Sequence, residues 1–229
     1  MKISVIVPVF NEEKTIIELL TKVNKQNTEN FSLEVIVVND CSTDNSGELI
    51  QENEELYSQY IELSQNMGKG GAVREALISA SGEYVLFQDA DLEYNPEDYK
   101  NIFTAIKNYN PDVVIGSRFL SPQYTRVHYY FHKVGNKVIT FLFNLLYNST
   151  FTDIYSCYLC FRRTLIDPKK LKSNGWDQQA EILATVVNKS NVHYEVPISY
   201  SGRTFDEGKK IKGRHIFKII MMIFKKRLL

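Results

Sequence analysis

Short apolar runs rich in β-branched residues recur along the first half of the chain, each closed by a polar loop and followed by a helical pattern. Residues 3–9, 33–38, 60–63, 84–87 and 112–115 are such runs. Between them lie helical periodicities, the first through Ile16, Ile17, Leu20 and Val23, later ones over residues 72–81 and 96–107. Strands alternating with helices at this spacing predict an α/β fold with a mostly parallel central sheet, right-handed crossovers and flanking helices. In such a sheet the loops that follow the strands converge on one edge, where ligands bind. Chemistry is therefore sought in those loops first.

The fourth run, Tyr84-Val85-Leu86-Phe87, stops at Asp89-Ala90-Asp91, with Glu93 close behind and Asn95-Pro96 opening a helix. Two carboxylates at a strand's carboxyl end offer hard oxygen ligands to a divalent cation, and Glu93 is a candidate third; the plain alternative is a solvated acidic turn. After the first run comes Pro8-Val9-Phe10-Asn11-Glu12, and after the second Asn39-Asp40-Cys41-Ser42-Thr43-Asp44, where Ser42 or Thr43 is positioned to cap a helix reaching Glu54. Glu12 and Asp40 read either as acceptors for a base or ribose or as helix-start charges; Pro8 and Phe10 read as contacts or as packing. Gly68-Lys69-Gly70-Gly71 lacks the spacing of a triphosphate-binding loop, yet bare N–H groups at a helix start with Lys69 suit an anion; a tight turn explains the glycines equally.

Beyond Gly116-Ser117-Arg118 the character changes. Residues 1–116 carry 8 Lys and Arg against 20 Asp and Glu, and residues 117–229 carry 19 against 7, so a neutral chain is divided into halves at −12 and +12. A basic half fits an anionic partner such as phosphate or a membrane surface, or simply an attraction between halves; it contains no nucleic-acid-reading motif. Residues 128–147 read as an amphipathic helix, residues 178–189 as another and 192–200 as a strand, while residues 150–175 show no clear pattern. Residues 216–224 form a short apolar helix bracketed by Arg214 and by Lys225, Lys226 and Arg227. No apolar segment approaches the roughly 20 residues needed to span a bilayer, so an integral membrane protein is not expected. Three cysteines, Cys41, Cys157 and Cys160, and a strand beginning at Lys2 favour a reducing cytoplasm. Cys157 and Cys160 lack a second pair for zinc and read as packing residues, as do His128 and His132, which have no Glu of a metalloprotease pattern between them. The chain reads as one domain, 1–229.

Taken in order, Pro8 to Glu12, Val38 to Asp44, Gly68 to Gly71, Asp89-Ala90-Asp91 and Gly116-Ser117-Arg118 resemble the family 2 glycosyltransferases of GT-A, Rossmann-like fold. The resemblance is strongest to the branch that includes the dolichol-phosphate and other polyprenyl-phosphate mannosyl- and glucosyltransferases. Asp153 with Cys157-Tyr158 and Phe161-Arg162 is similar to that branch's acceptor-side motif, and residues 195–200 with Gly202-Arg203-Thr204 and Glu207 to Ile211 to its C-terminal signature. The resemblance covers nearly the whole chain. It implies a nucleotide-sugar half, 1–116, and an acceptor-side half, 117–229. Pro8, Phe10, Glu12 and Asp40 then surround the base and ribose of a uridine or guanosine diphosphate sugar, while Asp89, Asp91 and Glu93 hold Mg²⁺ or Mn²⁺. Lys69, Arg118, Arg126, Arg203 and Lys209 are expected near phosphates. The chain departs from the pattern at Asn39, where many relatives have Asp, and at Cys157 and Leu159, where relatives tend to have Gly and Lys.

The implied acceptor is a polyprenyl phosphate. Its oxygen is already ionised, so positioning and electrostatics carry an inverting displacement without a strong base. The alternative is a saccharide or other hydroxyl acceptor, which wants a base, with Asp153 the candidate; Asp153 reads equally as a fold anchor. Glu181 is assigned no role. Such an acceptor implies peripheral association at the cytoplasmic membrane face, with the C-terminal helix lying in the interface.

Overall fold

Lys2–Val9 forms β1 because Ile3, Val5, Ile6 and Val7 must all leave water, and a central parallel strand buries both of its faces. In this computed structural model, which describes residues 1–120, 130–203 and 215–228, β1 pairs in parallel with β2 (Ser32–Asn39) on one side and β4 (Tyr84–Phe87) on the other. β3 (Gln59–Glu62) extends the sheet beyond β2, also in parallel. With β5 (Val113–Ser117), β6 (Leu159–Arg162) and β7 (His193–Pro197), the described residues make a seven-stranded sheet in the order β3-β2-β1-β4-β6-β5-β7.

The expected mostly parallel sheet is present, with one departure. β6 runs antiparallel to both β4 and β5 and fills the slot between them, Phe161 lying opposite Val85 and Val113. It comes from the segment without readable periodicity, since Leu159-Cys160-Phe161 is buried throughout and too short to alternate. Arg162 closes its end, donating to Glu83 at 2.8 Å and lying 3.6 Å from Asp112. Leu159, one of the departures from the family pattern, is a core residue of this strand and does not line the cavity described below.

The helices are α1 (Ile16–Asn24), α2 (Ser46–Gln51), α3 (Lys69–Ser79), α4 (Tyr99–Tyr109), α5 (Tyr130–Tyr147), α6 (Gln178–Val187) and α7 (His215–Leu228). α3 starts at Lys69, earlier than the pattern predicts, so Gly70 and Gly71 belong to its first turn. The glycines are needed for closeness: Gly68 has φ +76°, and a Cβ there would stand 2.5 Å from the carbonyl oxygen of Asn174. Ser42 and Thr43 do not cap α2. Both turn instead to Asn11, Ser42 Oγ accepting its backbone N–H at 3.1 Å, and so tie the loops after β1 and β2 together. Asn95 does cap, accepting the N–H of Glu97 at 3.2 Å at the start of the turn Pro96–Asp98. α7 is longer than the apolar stretch alone and packs on α5 and α6 with Ile219 and Ile223 buried.

At the sheet edge away from those loops, Glu34 is buried beneath the start of β1. Its carboxylate accepts from Ser4 Oγ (2.6 Å), Ser81 N (2.8 Å) and Oγ (2.6 Å) and pairs with Lys2 (2.6 Å). Burial alone would raise its pKa, but these donors outweigh it and hold it at about 2 against an ordinary 4.5. A depressed carboxyl pKa contributes stability above the ordinary value and loses it as pH falls towards the folded one. The contribution is on the order of 3 kcal/mol. Urea unfolding of the parent and of Glu34→Gln should therefore show a stability gap at pH 7 that narrows by about that amount between pH 4.5 and pH 2. A gap of constant size would contradict this account.

Candidate active site

The loops after β1, β2, β4 and β5 meet, as a parallel sheet requires, at one edge, and there they enclose a cavity of about 600 Å³. Its floor carries Pro8, Phe10, Glu12 and Asp40, and one wall carries Lys69, Asp89, Asp91 and Glu93. Arg118 and Arg203 also reach it. Asp153 does not line it, and Arg126, Lys209 and His128 lie outside the described residues.

Backbone geometry at this edge is strained where the loops turn. Asn11, Cys41 and Leu92 all have positive φ, at 55°, 57° and 59°. For a branched apolar residue such as Leu92 this conformation costs about 1 kcal/mol or more. It reverses the chain between Asp91 and Glu93 and sends their side chains different ways.

Each carboxylate has defined partners. Glu12 accepts from Thr15 Oγ1 at 3.1 Å and from Arg203 Nη2 at 2.8 Å. Asp40 accepts the N–H of Met67 at 2.7 Å, and burial raises its pKa. Asn39, beside it, bonds Tyr60 and the N–H of Ser42, so an amide at this position braces the loop. Lys69 Nζ stands 2.5 Å from Asp89 Oδ1, and the surrounding charge raises its pKa although burial opposes this. Asp91 is pushed well above the usual carboxylate range, first by burial and then by Asp89 and Glu93.

Glu93 differs from its expected place. Its carboxylate accepts from Tyr200 OH at 2.7 Å and from the N–H of Arg203 at 2.7 Å, so it holds the 200–203 segment rather than completing a ligand set. Among the described residues no three His, Cys, Asp or Glu side chains converge as metal ligands. Asp89 and Asp91 nevertheless suit a hard divalent cation, being two adjacent carboxylates whose mutual repulsion raises the pKa of one of them, a repulsion that a cation relieves.

Arg118 is committed differently from the expectation of a phosphate-facing fork. Its Nε and Nη2 grip both oxygens of Asp153, at 2.6 and 2.8 Å, and Nη2 also donates to the carbonyl of Tyr155 at 3.1 Å. Asp153 has no exposed surface, and the N–H groups of Thr152 and Asp153 are held by Glu195 of β7. The guanidinium also lies 5.1 Å from the ring centre of Tyr200. This is the geometry of an anchor that shapes the wall.

The cavity also contains residues the sequence did not single out. Tyr155, Asn174, Trp176 and Gln179 line it, all from or beside the segment without periodicity, and with them stands Cys157, read from the sequence as a packing residue and a departure from the family pattern. Cys157 is buried with its thiol pKa raised by burial and by Asp89, with a hydrogen bond to that carboxylate. Gln179 donates to the carbonyl of Ser156. α5 contributes Phe131, Lys133 and Ile139, and α7 contributes Ile216 and Ile219.

Comparison with known proteins fits this arrangement. Residues 4–167 match the family described as glycosyl transferase family 2. The chain belongs to this family. As a family 2 glycosyltransferase it is similar to a dolichol-phosphate mannosyltransferase of Pyrococcus furiosus, 28% identical over 228 residues covering 98% of this chain and 63% of that protein. It is also similar to the poly(ribitol-phosphate) β-N-acetylglucosaminyltransferase TarS of Staphylococcus aureus, 30% identical over 94% of this chain and 38% of TarS. The chain thus spans less than two thirds of these relatives. A solved glucosyl-3-phosphoglycerate synthase of Mycobacterium tuberculosis, in complex with Mn²⁺, uridine diphosphate and phosphoglyceric acid, superposes over 100% of this chain and 79% of its own, with a TM-score of 0.73 at 17% identity. That likeness places the fold in the GT-A class.

Breaking a buried pair by neutralising one member leaves an uncompensated charge and costs about 3–5 kcal/mol. Asp153→Asn should therefore lose stability in that range by chemical unfolding, and Asp153→Asn with Arg118→Met should lose less than the single change. Parental stability in Asp153→Asn would refute the anchor reading.

Proposed function

We propose that this glycosyltransferase moves a sugar from a nucleoside diphosphate to a polyprenyl phosphate, with inversion and with a divalent cation. The supporting observation is how charge is divided around the cavity. Every carboxylate among its described lining residues, from Glu12 to Glu93, comes from residues 1–116, whereas residues beyond 116 contribute Arg118, Lys133 and Arg203 but no acid. That wall offers no carboxylate to deprotonate a hydroxyl, and His132 is the one imidazole among its described residues. Such a wall suits an acceptor that arrives already ionised. The Pyrococcus furiosus relative is named for such a lipid phosphate.

In this reading Phe10, Glu12 and Asp40 receive the nucleoside, Asp40 being already oriented by Met67. Asp89 and Asp91 would hold Mg²⁺ or Mn²⁺, which when bound neutralises charge gathering on the leaving diphosphate. Lys69, on Asp89, and Arg203, on Glu12, stand where the diphosphate would exchange their present carboxylate partners for its own oxygens. One oxygen of the acceptor phosphate attacks the anomeric carbon as the sugar–diphosphate bond breaks on the opposite face, the nucleoside diphosphate leaving with the bonding pair. Lys133, 5.8 Å from the ring centre of Phe119, attracts the acceptor phosphate, and Arg126 and Lys209 are proposed to join it. Holding reactants in line in this way supplies the rate that a base would otherwise supply.

The lipid's tail needs an apolar place, and α5 and α7 offer one. Phe131, Phe141, Leu145, Phe217 and Met221 are all exposed, and neither helix contains an Asp or Glu. Such faces, flanked by Lys133, Lys137, Lys218 and Lys225, fit an anionic membrane surface, and we place the enzyme peripherally at the cytoplasmic face. Among the described residues no helix is long and apolar enough to cross a membrane. A second reading, transfer to a hydroxyl acceptor in a surface polymer, is favoured by the likeness to TarS. It requires a base, and His132 is the candidate that the cavity wall offers among the described residues.

Incubation with a panel of uridine and guanosine diphosphate sugars, Mn²⁺ and a short polyprenyl phosphate should give a glycolipid. Chelation should abolish it, and Asp91→Asn should lower kcat/KM by about 100-fold or more. Product with saccharide acceptors and none with lipid phosphate would transfer the assignment to the second reading. In flotation assays the enzyme should rise with anionic vesicles, and paired Phe217→Glu and Met221→Glu changes should leave it in the soluble fraction. Equal flotation of parent and variant would remove α7 from the interface.

A further inference from the structure

Glu181 is a charged residue in the first turn of α6, 1% exposed, and it does not line the cavity. Burying a carboxylate costs several kcal/mol unless its oxygens are fully used. Here they are. The carboxylate accepts the backbone N–H of Lys172 at 3.0 Å and of Ser173 at 2.8 Å, and it pairs with the ammonium of Lys226 of α7 at 2.9 Å. Burial would raise its pKa, but these donors prevail and lower it. The 172–174 segment is thus held from behind by a charge.

The front of the same segment carries the first turn of α3. The carbonyl of Asn174 accepts the N–H of Gly70 at 2.9 Å, and its side-chain oxygen accepts from Arg74 at 3.0 Å. A Cβ on Gly70 would run into the carbonyl of Ser173, and one on Gly68 into that of Asn174, so backbone lies directly on backbone. Between those two glycines is Lys69, whose Nζ reaches Asp89. The connected path runs from Lys226 through Glu181 to residues 172–174, to Gly70, and so to the lysine in the cavity.

We propose that Glu181 is a positioning residue for the donor's diphosphate: it seats the glycine turn that aims Lys69 and, through Lys226, makes that aim depend on α7. The inference rests on the donor half of the function proposed above and not on its acceptor. An apolar residue of similar size would fill the space in α6 equally well, but would leave two backbone N–H groups and an ammonium without their acceptor. The helix at the far end of the path is the one whose outer face is proposed to meet lipid. A shift of α7 is thereby felt at the phosphate site.

The test uses Trp176, the sole tryptophan of the chain, which lines the same cavity. Its fluorescence, followed with uridine or guanosine diphosphate and Mn²⁺, gives diphosphate affinity in the parent and in Glu181→Gln, Lys226→Met, Lys69→Met and the pairwise combinations. Glu181→Gln should weaken binding about tenfold, in line with other supporting-residue changes, and Lys226→Met about threefold by the same logic. In the Lys69→Met background each loss should shrink below about twofold, because residues on one path do not act additively. Parental affinity in both single variants, or equal losses with and without Lys69, would overturn the proposal. Lys226 is a quarter exposed, so Lys226→Met poses the question with less risk to folding than Glu181→Gln. Transfer plays no part in this titration. A parent that binds diphosphate but leaves lipid phosphate unmodified therefore refutes the acceptor reading alone, and a parent that binds neither diphosphate refutes the donor reading and this one with it.

Discussion

The fork of Arg118 closed on Asp153 is the joint on which the cavity wall beyond residue 117 is built. β5 ends just before Arg118, and everything the chain adds to the cavity after that must be placed relative to the sheet. The pair does this with charge in a dry place. Two parallel N–H···O bonds fix direction as well as distance, and Glu195 fixes the loop from the other side through the N–H groups of Thr152 and Asp153. Tyr155 and Cys157 follow within a few residues and take their places in the wall as a consequence. A buried ion pair adds little net stability over a packed apolar pair. Its contribution here is orientation.

The first half of the fold was legible because parallel strands declare themselves as continuous apolar runs with punctuated ends. β1, β2 and β4 and the loops after them could be located from Ile3, Val35 and Val85 and the polar residues that stop each run. β6 was hidden, because a four-residue antiparallel strand buried on both faces has no period to read. The site divides along the same line. Glu12, Asp40, Asp89 and Asp91 were visible, being carboxylates placed where strands end. Glu93 was placed with them by proximity in sequence, but the left-handed turn at Leu92 sends it to Tyr200 and Arg203, and no residue-type pattern announces a positive φ at a leucine. Trp176, Tyr155 and Gln179 reach the cavity only through tertiary placement.

The uneven charge of the two halves acquires a meaning once the cavity is seen. Burial first, and then repulsion from the neighbouring acids Asp89 and Glu93, push Asp91 above the usual carboxylate range, and Arg203 answers part of that field. Lys69, from the acidic half itself, and Arg203, from the basic half, each sit on a carboxylate of residues 1–116. Such contacts keep an unliganded pocket from holding bare like charges. In the proposed function they also leave cations in position for an incoming diphosphate.

The antiparallel strand has a consequence for how the molecule is made. β4 and β5 follow one another in the chain yet are not neighbours in the sheet; each presents an edge to a gap that stays open until Leu159 to Arg162 has left the ribosome. Until then the nascent chain has strands with unpaired backbone facing solvent, the form of edge that recruits other chains. A product truncated before residue 159 would keep the loops after β1, β2 and β4 while lacking the strand that joins β5 to the rest. For this fold the span from Arg118 to Leu159 is the interval in which a chaperone would have the most to protect.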